Sequence, residues 1–301
     1  MDADEITGRD GRFANALGNA LQYAANEAIV FAALEEFFSP KPAQLAESII
    51  QQETLNEQVQ RVAMLYGDAP KIIIRAENEP KPSFDTYLSA SINEALETFH
   101  RARRSLCRAQ TFMIGEHMLR TKPELLNIPE DEKVRKLFQK NAENVFWEHT
   151  ETTFIRLASY WDRLGQILDF AFFSIRQYER DGFSAVVDRI RANPLRMRPE
   201  LAETDAWLAI WTYKRLAGEG GLDWLLSRRN LLVHSLHLGS SRDTANDEIF
   251  ISAFNHLDER VREKLKPGDP KVEIGRLHVH LAQAAALLPQ VLTLCELQKK
   301  T

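Results

Sequence analysis

"DEKVRKLFQKNAENVFWEHTETTFIRLASYWDRLGQILDFAFFSIRQYE", residues 131–179, decides the fold class. Within it Phe154, Leu157, Trp161, Leu164 and Leu168 recur at spacings of three and four, which places them on one broad face of an α-helix. The stretch is long enough that a break somewhere inside it is expected.

The same periodicity continues outward in both directions. Upstream, helices are expected over residues 13–38, ended by "SPKP", over 43–66, ended by "GDAP", and over about 84–120. "KIIIRAENEPKPS" (71–83) holds the only short strand candidate of the N-terminal half, too short to make a sheet alone. Downstream, "GFSAVVDRIRANP" reads as a short helix with a proline stop. "ELAETDAWLAIWTYKRLAGEGG" reads as another, closed by glycines. "LDWLLSRRNLLVHSLHL" starts directly after them and ends at "GSSRD"; "DEIFISAF" is an extended candidate, and a last helix covers about 273–298. The expectation is an all-α chain, a helical bundle. "TKPELLNIPED" (121–131) carries two prolines between strongly periodic segments. It fits a boundary between an N-terminal helical region, 1–125, and a second domain, 130–301; it equally fits a loop within one bundle.

Composition bounds the function. With 44% hydrophobic and 27% charged residues the chain is globular rather than disordered. A net charge of -5 argues against a surface coated for bulk DNA binding, but leaves room for a small basic groove. Cys107 and Cys295 lie far apart without CxxC spacing, so neither a disulfide framework nor a zinc knuckle is expected. "MDADEITGRDGRF" lacks the pattern of a signal peptide, and "LAQAAALLPQVLTLCEL" is shorter than a membrane span requires. A cytoplasmic protein with no membrane partner is the expectation.

Several clusters invite a chemical reading. Glu97 and His100 form one Glu-x-x-His, but two-helix carboxylate sites need a second copy, and none is present. His278 and His280, two apart, point to different sides of a helix. His234 and His237 have no evident carboxylate as a third ligand. No metal and no cofactor is expected. Glu148, His149 and Glu151 read better as a polar helix face than as acid–base groups, and Trp207, Trp211 and Trp224 better as core than as a base-stacking platform. Two basic patches offer phosphate contacts: Arg101, Arg104 and Arg108 on one helical face, and Arg189, Arg191, Arg196 and Arg198 around a helix end. Surface ion pairing is the plainer account of each; of the second patch we carry Arg196 and Arg198 as substrate-contact candidates.

"SRRNLLVHSLHLG" (227–239) is the sharper signal. Asn230 and His234 are four apart and share a helix face, whereas Arg229 is rotated by about 140° from His234. One helix cannot easily aim Arg229 and His234 at one atom, but a second copy related by a two-fold axis completes the site. A functional motif here therefore implies a homodimer through this helix.

"RNLLVH", an Arg, a polar residue, three more residues and a His, resembles the signature of the HEPN superfamily, the higher eukaryotes and prokaryotes nucleotide-binding domain. With "SYWDRLGQILDFAFF" before it, the likeness covers about residues 135–300 and resembles the larger bacterial HEPN families; the first 120 residues resemble nothing familiar. The resemblance implies a C-terminal HEPN-like domain and metal-independent endoribonuclease activity on RNA, of toxin or phage-defence type. By it, His234 would serve as general acid or base, Arg229 would neutralise charge on the phosphorane, and Asn230 would hold His234 or the phosphate in register. An antitoxin or regulatory protein is a further partner of such systems. The alternative the family offers is a non-catalytic nucleotide- or RNA-binding or protein-interaction module; a plain helical scaffold is a third reading. Two departures stand out. Leu236 occupies the place where HEPN toxins often carry a modified Tyr, and Arg228 offers a second register with five intervening residues, which makes it a weak substrate-contact candidate beside Arg229.

Overall fold

In a computed structural model of the chain, Asp131 starts the helix that organises the rest. Its carboxylate accepts from the N–H groups of Lys133 (2.8 Å) and Val134 (3.2 Å), two donors that a helix start leaves without partners. The structure describes residues 15, 17–22, 25–30, 52–66, 87–126, 128, 131–175, 182–234 and 268–299. Residues 1–39 and 40–301 form two units. In the first, the described residues are helical. All that follows concerns the second.

Its elements are α1 (Gln52–Tyr66), α2 (Tyr87–Thr121), a 3-10 turn (Pro123–Leu126), α3 (Glu132–Phe173), α4 (Phe183–Ala192), the single turns α5 (Pro194–Met197) and α6 (Pro199–Ala202), α7 (Asp205–Arg215), α8 (Leu222–His234) and α9 (Pro270–Lys299). Every described element is a helix, as the periodicity requires. The strand candidates at 71–83 and 247–254 lie outside the described residues.

α3 runs without the expected break for 42 residues, about 63 Å. Ser174, in the left-handed conformation, ends it and donates its N–H to Phe170. Phe154, Leu157, Trp161, Leu164 and Leu168 are all fully buried. Gly165, the residue where a break might be sought, instead admits α4: a Cβ there would lie 2.9 Å from the Phe183 backbone. α2 returns along α3 as an antiparallel hairpin, with Phe112 against His149 and Phe99 against Tyr160. Residues 121–131 join these two helices, and both lie in the second unit.

α9 closes the core. Tyr160 donates to Ala284 O (2.8 Å) and Tyr66 of α1 to Cys295 O (2.9 Å). Among the described residues it is the one helix long and apolar enough to cross a membrane by length and composition, and Pro289 lies inside it. Its apolar side is taken up by α1, α3 and α7. The expected helix at 200–221 is two, because Thr204 caps a new start by accepting from the Trp207 N–H (3.3 Å). The turn before α8 needs its glycine: a Cβ on Gly221 would fall 1.9 Å from the Leu216 carbonyl oxygen.

Candidate functional site

α8 has two faces, and its two adjacent arginines belong to different ones. Leu222, Trp224, Leu225, Arg228, Leu231 and Leu232 form the buried side. Arg228 has no exposed surface; its Nη2 donates to Glu273 Oε1 at 3.0 Å, and its guanidinium lies 5.5 Å from the Phe154 ring centre and 5.7 Å from that of Trp224. The same Glu273 oxygen accepts from Arg276 Nη1 (2.6 Å) and from the Gly268 N–H (2.8 Å). Arg276 in turn holds Glu219 through Nε (2.8 Å) and Nη2 (2.6 Å). His280 stacks on Trp224, ring centres 5.6 Å apart and nearly parallel, with Nε2 2.9 Å from the Glu219 carbonyl oxygen. A carbonyl only accepts, so Nε2 carries a hydrogen; burial pushes the imidazole's pKa down to about 4, which keeps the ring neutral at pH 7. Arg228, expected as a weak phosphate contact, is therefore corrected: it is the buried cation that ties α8 to α9 and has no surface with which to meet RNA.

The other side of α8 carries Asp223, Ser227 and Asn230, all exposed, and Val233, which is 51% exposed. Arg229 lies at its edge, its side chain 31% exposed and its Nη2 3.7 Å from Asp162 Oδ2 on α3. That separation makes an ion pair without a hydrogen bond. Among the described residues Arg229 Nε has no hydrogen-bond partner. Burial raises the Asp162 carboxyl above the ordinary range, while Arg229 and Arg163 pull it back. The backbone of His234 closes α8 four residues after Asn230, so helical register puts positions 230 and 234 on one face. The side chain of His234, and Leu236 and His237, lie outside the described residues. The structure thus sets Arg229 at the edge of the surface beside Asp162 and leaves Asn230 exposed; Asp162 is not among the residues expected from the sequence. Its signal was a lone carboxylate within the apolar run "SYWDRLG".

The remaining candidates separate likewise. Arg101 and Arg104 are exposed and share Glu97, at 2.9 Å and 3.2 Å. The Arg101 hydrogen bond holds that carboxyl below its usual value. Arg156 of α3 donates to Arg101 O (2.9 Å) and Ser105 Oγ (2.7 Å), setting a fourth guanidinium beside Arg101, Arg104 and Arg108. Arg196 is exposed. Arg198 is half-buried and engaged within the chain: it donates to the carbonyls of Gln298 (3.0 Å) and Leu297 (3.2 Å), capping the end of α9, and to Glu200 (2.9 Å). His278 and His280 do face different neighbours, Gln110 and Glu219. Among the described residues no group of His, Cys, Asp and Glu is arranged to hold a metal ion.

Trp147, Trp161, Trp207 and Trp224 are core residues. Trp211 packs against that core but is half-buried, with Arg191, Lys214 and Arg215 around its ring. A shallow apolar groove of about 390 Å³ lies between α7 and α9, lined by Leu208, Tyr213, Leu216, Gln283 and Leu287. Its one titratable group is Tyr213, whose pKa burial raises. No protein-family model matches the chain, and no curated protein and no solved structure is significantly similar to it.

Proposed function

We propose that the chain is a metal-independent endoribonuclease of the HEPN type, acting as a homodimer through α8 in a toxin or phage-defence role. The observation that supports this reading is the division of α8. Arg228 is consumed by the core, while Arg229 reaches the edge of the surface and Asn230 is exposed in register with position 234. The burial of Arg228 supports the spacing Arg229–Asn230–His234 over the alternative that starts at Arg228.

In the proposed reaction a ribose 2′-hydroxyl gives its proton to the His234 imidazole of one protomer. The 2′-oxygen attacks the adjacent phosphorus, and the phosphorus–O5′ bond breaks. The leaving 5′-oxygen takes a proton from the His234 of the other protomer, leaving a 2′,3′-cyclic phosphate and a 5′-hydroxyl. Imidazole titrates near neutrality and serves in both directions. Arg229 meets the charge that builds on the phosphorane oxygens. Its long pairing with Asp162 holds the guanidinium near the site while a phosphate competes for it. Asn230 holds the phosphate or the imidazole in register.

The same ion pair favours the alternative, a non-catalytic RNA-binding module in which Asp162 keeps Arg229 as a binding group only. Incubation with total RNA in EDTA separates the two. Cleavage that survives chelation, leaves cyclic phosphate ends and falls by roughly 10²- to 10⁴-fold in His234→Ala supports the ribonuclease. Binding without cleavage supports the module.

A further inference from the structure

Trp211 projects from α7 at the corner where α7 meets the end of α4, and three cations surround it. The guanidinium of Arg191 lies 4.2 Å from the indole centre, the Lys214 ammonium 5.1 Å and the Arg215 guanidinium 5.8 Å. Behind it Trp207, one turn earlier and buried, lies nearly parallel at 5.8 Å and braces the ring. Lys214 pairs with Asp188. Among the described residues Arg191 and Arg215, both exposed, pair with no carboxylate.

Two contacts join α4 to α7 here, the Lys214–Asp188 ion pair and the Arg191 guanidinium over the indole. Arg215 lies on the same helix as Trp211 and is not needed for that join. The combination has a different use. A braced, half-buried aromatic ring beside Arg side chains without carboxylate partners is how proteins hold single-stranded nucleic acid: bases stack on the ring or on a guanidinium plane, and phosphates meet the cations. Arg can serve both parts, because its guanidinium is planar and permanently charged.

We infer that Trp211, Arg191, Lys214 and Arg215 form a docking platform for single-stranded RNA. Only the identity of the ligand as RNA rests on the ribonuclease reading; the platform itself is a separate site. Its place suits that substrate. α4 starts at Gly182, where an added Cβ would lie 3.3 Å from Asp162 Oδ1, and Arg191 follows nine residues on, about 13.5 Å along the helix. Trp211, expected in the core, packs against it and is half-buried, with three cations around its ring.

The test uses the full-length protein and a fluorescein-labelled, ten-nucleotide 2′-O-methyl RNA, which has no 2′-hydroxyl and cannot be cleaved, so anisotropy reads binding alone. Trp211→Leu should weaken binding by about 5- to 150-fold, the range spanned by loss of one stacked base, and Trp211→Phe should restore most of it. Arg191→Gln with Arg215→Gln should lower the slope of log affinity against log salt by about 1.4, two single-strand phosphate contacts. Thermal melting accompanies each variant. Should Trp211→Leu not fold, the double arginine variant, which alters only exposed side chains, decides alone. Wild-type affinity in Trp211→Leu, an unchanged salt slope, or equal competition by a polyglutamate peptide would overturn the platform. Tight, Trp211-dependent binding by a protein that cleaves nothing would keep the platform and sink the ribonuclease. Cleavage with a KM indifferent to these substitutions would do the reverse.

Discussion

Arg228 and Arg229 are neighbours with opposite duties, and substitution should expose the difference. Arg228→Ala leaves Glu273 charged and buried with one cation fewer, a change that costs about 3–5 kcal/mol in comparable settings, read as a lower urea midpoint. Replacing the pair together, Arg228→Met with Glu273→Leu, should cost less, because neither charge is then stranded. Arg228's fate was legible in part: it stands midway along the stripe Trp224, Leu225, Leu231, Leu232, a position that only a paired cation tolerates. Its partner was not legible, since Glu273 comes 45 residues later. His280 gives the pH dependence. Its folded pKa of about 4 lies below the ordinary 6.5, so between those values the unfolded chain takes up a proton that the folded one refuses. Stability should therefore fall by about 3 kcal/mol as pH drops from 7 to 4 through this residue. Denaturant melts of His280→Phe, which keeps the stack on Trp224, should lack that component; an undiminished loss would put the acid sensitivity elsewhere.

At the level of elements, the close approach of α4 to α3 depends on one residue. Gly165→Ala must push the start of α4 away from a contact 2.9 Å distant, and overpacking of this kind costs about 1–3 kcal/mol. Circular dichroism should show α3 still helical while the melting temperature falls; an unchanged melting temperature would mean α4 packs elsewhere. The helices themselves were readable because a spacing of three and four is a local property. Their interruptions were less so. α3 keeps its course because α2, α9 and α4 cover successive parts of it, whereas the segment at 200–221 splits because Thr204 caps a new helix. Both outcomes depend on neighbours or cap geometry that periodicity does not encode. The Arg patches show the same limit: Arg198 is spoken for by the last carbonyls of α9, a partner about a hundred residues away, while Arg101 and Arg104 stay exposed.

For the whole molecule, the proposed site is complete only in a pair. Val233, half exposed near Asn230, is an apolar residue on a polar face, and the proposed two-fold contact would set it between the copies. Light scattering should find a dimer, and Val233→Asp a monomer without activity; a wild-type monomer that cleaves RNA would remove the dimer from the mechanism. The motif was readable as spacing, and the fold class as periodicity; that α2 and α3 form one hairpin across the prolines at 123 and 129 was open until their packing was seen. The claim on which everything turns is that Arg229 meets a phosphate rather than serving Asp162 alone. The most direct measurement is the rate of RNA cleavage in EDTA by Arg229→Gln beside the wild type, with both melting temperatures recorded. The account predicts a fall of roughly 10²- to 10³-fold with little change in melting temperature. Equal rates, or no cleavage by either protein, would contradict it.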